Sequence, residues 1–192
     1  MAENEITRGQ AMEILKQYVK EESLLRHCVT VEAVMRHFAP LYGGDPERWG
    51  VIGLLHDVDF EFYPEEHCKR SRELLSAHGV PEDVIRAVES HGYGLVCDVE
   101  PRTDAEKVLY AVDELTGLIS ATARMHPSRS VLDLEVKSVK KKWKQKGFAA
   151  AVSRDVIAQG AERLGKPLDE LIAQTIGGMQ TVADEIGLRG EF

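Results

Sequence analysis

Five residues scattered between positions 27 and 113 carry the chemistry this chain offers: His27, the adjacent pair His56 and Asp57, His91 and Asp113. The pair ends an apolar run, Gly53-Leu54-Leu55, and leads into Val58-Asp59. Neutral imidazole and carboxylate together suit a divalent transition metal or magnesium. Such an ion acidifies water and screens the charge of a phosphate ester. No other feature of the sequence points so clearly at a reaction.

The elements that must position these residues read as helices. Thr7 is placed to cap a first helix with Ala11, Ile14, Leu15, Tyr18 and Val19 at helical spacing. Ser23 is expected to cap a second, carrying His27 among Leu24, Val31, Val34, Met35 and Phe38 and closing near Gly43-Gly44. Asp45-Pro46 opens a third that runs to His56-Asp57, so the pair is expected at a helix C-terminus with its side chains exposed. Pro64 is expected to open a fourth helix containing His67, and Pro81 a fifth that stops at His91-Gly92. Thr103-Asp104-Ala105-Glu106 is a capping box, starting a sixth helix in which Asp113 lies four residues beyond Leu109. A carboxylate bordering a buried stripe needs a partner.

After Met125-His126-Pro127 the composition changes. Residues 137–146 hold six lysines and no acid, and two further helical segments follow, around Phe148–Leu164 and Pro167–Ile186. No convincing strand, repeat or long linker interrupts the chain. The fold class is therefore all-α: one domain, with 1–126 a metal-binding core and 127–192 a C-terminal helical cover.

Composition narrows the function classes. At 192 residues, 43% hydrophobic and 29% charged, the chain can bury a real core. A formal charge of −8 disfavours nonspecific nucleic-acid or membrane binding, and 6% aromatic content gives no stacking platform for single strands. Cys28, Cys68 and Cys97 are odd in number and lack CxxC spacing, as expected of free thiols in a reducing cytoplasm. Met1 to Glu5 is acidic without an apolar core, which does not read as a signal peptide, and no apolar stretch reaches membrane length.

The ordered set of His27, His56-Asp57 and Asp113 resembles the HD superfamily of metal-dependent phosphohydrolases. Gly53-Leu54-Leu55-His56-Asp57-Val58 is similar to the core of its HDIG-type subgroup. His67 followed by Ser71, then Ser90-His91-Gly92, look like that subgroup's next histidines, and Leu109-Tyr110-Ala111-Val112-Asp113 looks like its final aspartate helix. The resemblance covers roughly residues 24–120. Many HDIG members continue with glycine and lysine where this chain has Asp59 and Phe60, so a phosphate contact or general acid of that kind has no counterpart here.

The resemblance implies an all-helical domain that cleaves a phosphate ester or anhydride, first of all in a nucleotide, by metal-activated water. The implied metal ligands are His27, His56, Asp57, His67, His91 and Asp113, with Asp57 and Asp113 also catalytic. The ion is iron, manganese, zinc, cobalt, nickel or magnesium. His27, His56, Asp57 and Asp113 account for one ion; with His67 and His91 turned inward, Asp57 would bridge to a second. A non-catalytic nucleotide-sensing or partner-binding module is the alternative. Lys137, Lys140, Lys141 and Arg124 are candidate phosphate contacts, against a plain solvated face for the lysine run. Asp59 and Glu61 read as solvated loop carboxylates, with a role in orienting ligands as the alternative. His37, His78 and His126 read as surface or capping residues, and Cys28 and Cys68 as packing thiols.

Overall fold

Helix starts are where this sequence is most explicit, and most of them form as expected. In the computed structural model, which describes residues 5–190, Thr7 and Gln10 close a capping box on α1 (Arg8–Tyr18). Met1 to Asn4, part of the acidic start discussed above, lie outside the described residues. At α2 (Glu22–Phe38), by contrast, Glu21 occupies the cap position, not Ser23, and makes no side-chain cap bond. The carboxylate of Glu61 does that work from a distant loop, accepting the amides of Lys20 (2.7 Å) and Glu21 (3.0 Å). A full negative charge at a helix N-terminus outcompetes a serine hydroxyl. After Phe38 a 3-10 turn, Ala39–Tyr42, leads to Gly43 in the left-handed region (φ 68°).

Asp45 caps α3 (Pro46–Leu55) through the amides of Glu47 and Arg48. The helix expected from Pro64 breaks. Pro64–Glu66 make only a 3-10 turn, and α4 is Ser71–Ala77, so His67 stands in the connecting segment. Cys68 has φ 65°, which no helix accommodates. Pro81 precedes α5 (Glu82–Ser90), with His91 as its C-cap. Thr103 and Glu106 form the expected box on α6 (Asp104–Met125). The lysine run builds α7 (Val136–Trp143); α8 (Arg154–Leu164) starts six residues later than expected, capped by Ser153, and α9 is Leu168–Gln180. Among the described residues there are nine α-helices and no strand, only an isolated bridge between Tyr93 and Cys97. None of these helices is long and apolar enough to cross a membrane.

The protein is thus a single helical domain with C-terminal helices. α2 runs through its centre, packed on α3, α6 and α9, while α8 lies along α6. Two glycines permit the closest approaches. A methyl group on Gly53 of α3 would stand 2.8 Å from the Val31 carbonyl of α2, and one on Gly160 of α8 would stand 2.5 Å from the Ala111 Cα of α6. Around these contacts Val31, Val34, Leu54, Leu55, Leu109 and Leu115 are buried in one core.

The three helices that carry His27, His56 and Asp113 therefore each begin at a carboxylate: Glu61 for α2, Asp45 for α3 and Glu106 for α6. Glu106 is buried and accepts the amides of Arg102 (2.5 Å) and Thr103 (3.0 Å) as well as the Arg86 guanidinium. Burial alone would push its carboxyl up, but Arg86 and the two amides outweigh it and hold the pKa below the usual range. A depressed folded-state pKa stabilises above the unfolded value and is lost as pH falls through the acid range. Glu106→Gln should cost roughly 1.5–3 kcal/mol near neutral pH, the range for charged hydrogen bonds. The gap to wild type should narrow below about pH 4, where the unfolded carboxyl protonates. Urea midpoints at both pH values check this; an equal gap at both would remove the charge from the explanation.

Candidate metal centre

His27 projects from α2 toward the end of α3 and the middle of α6, where three other polar side chains meet it. Its Nε2 lies 3.1 Å from His56 Nε2, 3.0 Å from Asp113 Oδ1 and 3.5 Å from Asp57 Oδ2. His56 Nε2 in turn lies 3.3 Å from Asp57 Oδ2 and 3.4 Å from Asp113 Oδ1. The other oxygen of Asp57 faces a second group: Oδ1 is 3.5 Å from both His67 Nε2 and His91 Nε2, which are 3.1 Å from each other. The structure brings all six residues of the expected set together, and arranges them as two clusters sharing Asp57.

The opposite ring nitrogens are fastened. His56 Nδ1 contacts the Gly53 carbonyl (2.8 Å) and His91 Nδ1 the Val88 carbonyl (2.5 Å), so each donates there and turns its Nε2 lone pair inward. His67 Nδ1 contacts Asp59 Oδ1 at 2.8 Å, while Asp59 Oδ2 accepts the Ser71 amide at 2.8 Å. Asp59 is fully buried, not a solvated loop carboxylate: it replaces the missing helix around His67 by holding the ring and the start of α4 together. His56 and Asp57 are buried too, contrary to the exposure expected at a helix end, because the chain after Leu55 turns inward under α2 and α6. Glu61 orients no ligand and instead caps α2.

Burial alone would drive His56 and His91 toward their neutral forms. The carboxylates outweigh it, Asp57 and Asp113 on His56 and chiefly Asp57 on His91, and hold both pKa values above the ordinary histidine value. In return, Asp57 and Asp113 stay ionised despite their burial, held low above all by His56. The two carboxylates thus favour positive charge within the cluster.

The donor set fits divalent ions. With bonds of about 2.0–2.2 Å, neighbouring donors around one ion stand roughly 2.8–3.6 Å apart, and the separations above fall in that range. Groups able to hold a metal include His27, His56 and Asp57, and also His56, His91 and Asp113. Cys68 joins His67 and His91 in a further such group. Its sulfur, however, is 3.7 Å from both nitrogens of His91, over the ring and off the line of either lone pair, which is packing. The hydrogen bond between Cys68 and Cys97 pushes the Cys68 thiol up and draws half-buried Cys97 down to about 6.

A cavity of about 370 Å³ opens over the clusters, with His27, Asp57, His67, His91 and Asp113 in its floor. Lys137, Lys140, Lys141 and Arg124 are not among its lining residues. Lys137 pairs with Glu135, Lys140 reaches Asp169 at 2.7 Å, and Lys141 and Arg124 are exposed. Of the histidines outside the set, His37 contacts Gln174, His78 contacts Tyr18, and His126 caps α6 beside Ser128. Glu114 also lines the cavity and accepts the Ser153 amide at 2.9 Å, tying the start of α8 to the ligand helix. Burial and neighbouring Asp113 push its carboxyl up. Nothing in the sequence singled it out beyond its place next to Asp113.

Residues 24–118 match the family model for the HD domain, and the matched stretch contains every member of the two clusters. This segment is similar to the HD domain. HD domains are in general metal-dependent phosphohydrolases, so the match supports the HD superfamily and the cluster supplies donors for its metal. The match ends within α6, leaving α7 to α9 beyond the HD domain. Comparison with curated proteins found no match, and comparison with solved structures found none.

The two clusters should separate in affinity when Asp59 is changed. Asp59→Asn keeps one acceptor but turns a donor toward His67 or Ser71. Losing such an orienting group typically weakens metal binding about 10- to 100-fold. Titration with a competing chelator should show one class of ion released more readily while the other matches wild type. Two classes shifted together would mean that Asp59 supports the whole centre.

Proposed function

We propose that this protein is a metal-dependent phosphohydrolase of the HDIG type, holding two divalent ions and cleaving a phosphate ester or anhydride of a small molecule, nucleotides included. The observation that carries the reading is Asp57, whose two oxygens each face a separate histidine cluster on the floor of one cavity. His27, His56, Asp57 and Asp113 would hold one ion, and His67, His91 and the far oxygen of Asp57 the other. Bound there, divalent ions acidify water and neutralise phosphate charge.

The protein's own residues do the rest. Gly53, Val88 and Asp59 fix the tautomers of His56, His91 and His67, so no ligand has to reorganise when substrate arrives. Asp57 and Asp113 both line the cavity, where either would be within reach of an attacking water and could accept its proton. Residues 127–192 act as a cover on the 1–126 core: Val152 and Val156 form one wall and limit solvent around the reacting phosphate. The site of action is the cytoplasm, where the three unpaired cysteines stay reduced. A non-catalytic sensing module has less support, since it does not require six intact donors.

Elemental analysis of the purified protein tests the reading. Wild type should carry close to two transition-metal equivalents, and the double variant His56→Ala, Asp57→Ala should carry little while remaining helical by circular dichroism. Phosphatase and phosphodiesterase activity over a substrate panel should fall to background in the same variant. Full metal content in the double variant would sink the assignment of the centre, and metal-loaded protein inert on every phosphate ester would sink the enzyme reading.

A further inference from the structure

The cavity above the metal centre has an unusual charge balance for a site that takes phosphate. Its floor is imidazole and carboxylate, and its walls are Leu24, Phe60, Leu95, Val96, Val152 and Val156. No lysine or arginine lines it, whereas Asp57, Asp113 and Glu114 all do. Arg154, at the start of α8, is fully engaged, donating to the carbonyls of Trp143, Gln145, Phe148, Ala149 and Val152. A single phosphate would thus have only the ions to neutralise it. Any additional anionic group would face apolar side chains or Glu114, at a desolvation cost with nothing to offset it.

The apolar walls are not a closed core. Phe60, Leu95 and Val96 are 45%, 59% and 38% exposed and all three line this cavity, Leu95 and Val96 standing on the rim it shares with a neighbouring cavity. Clustered exposed apolar surface beside a polar centre marks a place that a ligand covers. Phe60 stands edge-on to His67, with ring centroids 5.1 Å apart and planes at 88°, which holds an aromatic face at the second cluster.

We infer that the substrate is a singly phosphorylated ester whose other half is a compact apolar group, aromatic by preference, seated against Phe60, Leu95 and Val96. This rests on the phosphohydrolase reading of the same centre. Within that reading it excludes nucleoside triphosphates and other multiply charged esters, and it makes the wall, with no lysine, the determinant of specificity.

Three phosphonates that the enzyme cannot hydrolyse separate the possibilities by calorimetry on the metal-loaded protein. Methylphosphonate reports the phosphate position alone, phenylphosphonate adds the apolar group, and phosphonoacetate adds a second anionic group. Phenylphosphonate should bind roughly tenfold to a hundredfold more tightly than methylphosphonate, as expected from burying one ring after ordering costs. Phosphonoacetate should gain nothing. Phe60→Ala should erase most of the phenyl increment with metal content unchanged, and Leu95→Ser, at a more exposed position, should reduce it without risk to the fold. Equal affinity for the methyl and phenyl compounds, or tightest binding by phosphonoacetate, overturns the inference while leaving the phosphohydrolase reading in place. If none of the three binds, both fall.

Discussion

Everything in this molecule accommodates one unfavourable act: bringing four imidazoles and two carboxylates from five separate stretches of chain to within 3.0–3.5 Å of one another. Buried charge is costly unless it is paired. The solution is an alternation in which both oxygens of Asp57 and Oδ1 of Asp113 face imidazole nitrogens, while His56, His67 and His91 are anchored from behind. Asp57 is the hub, because its two oxygens lie within 3.5 Å of imidazole nitrogens in both clusters. Its backbone position follows from α3 ending at Leu55 and from Gly53 letting that helix press against α2.

That constraint explains the distribution of carboxylates elsewhere. Glu61, Asp45 and Glu106 hold the starts of the three ligand helices and so help to set their axes. Glu32, buried on α2, accepts from Arg8 at 2.6 Å and Arg36 at 3.0 Å, tying α1 to the same central helix. Small errors in a helix axis move a side-chain tip by more than the separations seen here allow. Rigid helix starts are therefore part of the site.

The grouping of the six donors was more legible in the sequence than their supports were. His27, His56, Asp57, His91 and Asp113 stood out because polar groups on apolar helical faces need a reason, and the capping box at Thr103 located α6 to the residue. What stayed hidden depended on distant partners. Ser23 was a plausible cap until Glu61 supplied a stronger acceptor from the other side of a loop. His67 read as a helical residue because Pro64 opens helices, yet Cys68 in the left-handed region and the Asp59 bonds to His67 and Ser71 form a different structure. Asp59 itself looked solvated, since burial of a loop carboxylate leaves no periodicity to read. Phe60 and Val152 were likewise invisible as cavity walls: one lies in a turn, the other in the irregular stretch before Ser153, where no helical face exists.

The bond from Ser153 to Glu114 has a consequence in time as well as in space. All six donors lie between positions 27 and 113, while Ala151, Val152 and Val156, which wall the cavity, follow α7. A chain emerging from its N-terminus completes the donor set some forty residues before the wall exists. During that interval the donors lack the part of the wall that α8 and the residues before it supply. Once α8 docks on α6 and Glu114 receives the Ser153 amide, that wall closes over the donor set. The order of residues along the chain thus places the donors ahead of their cover.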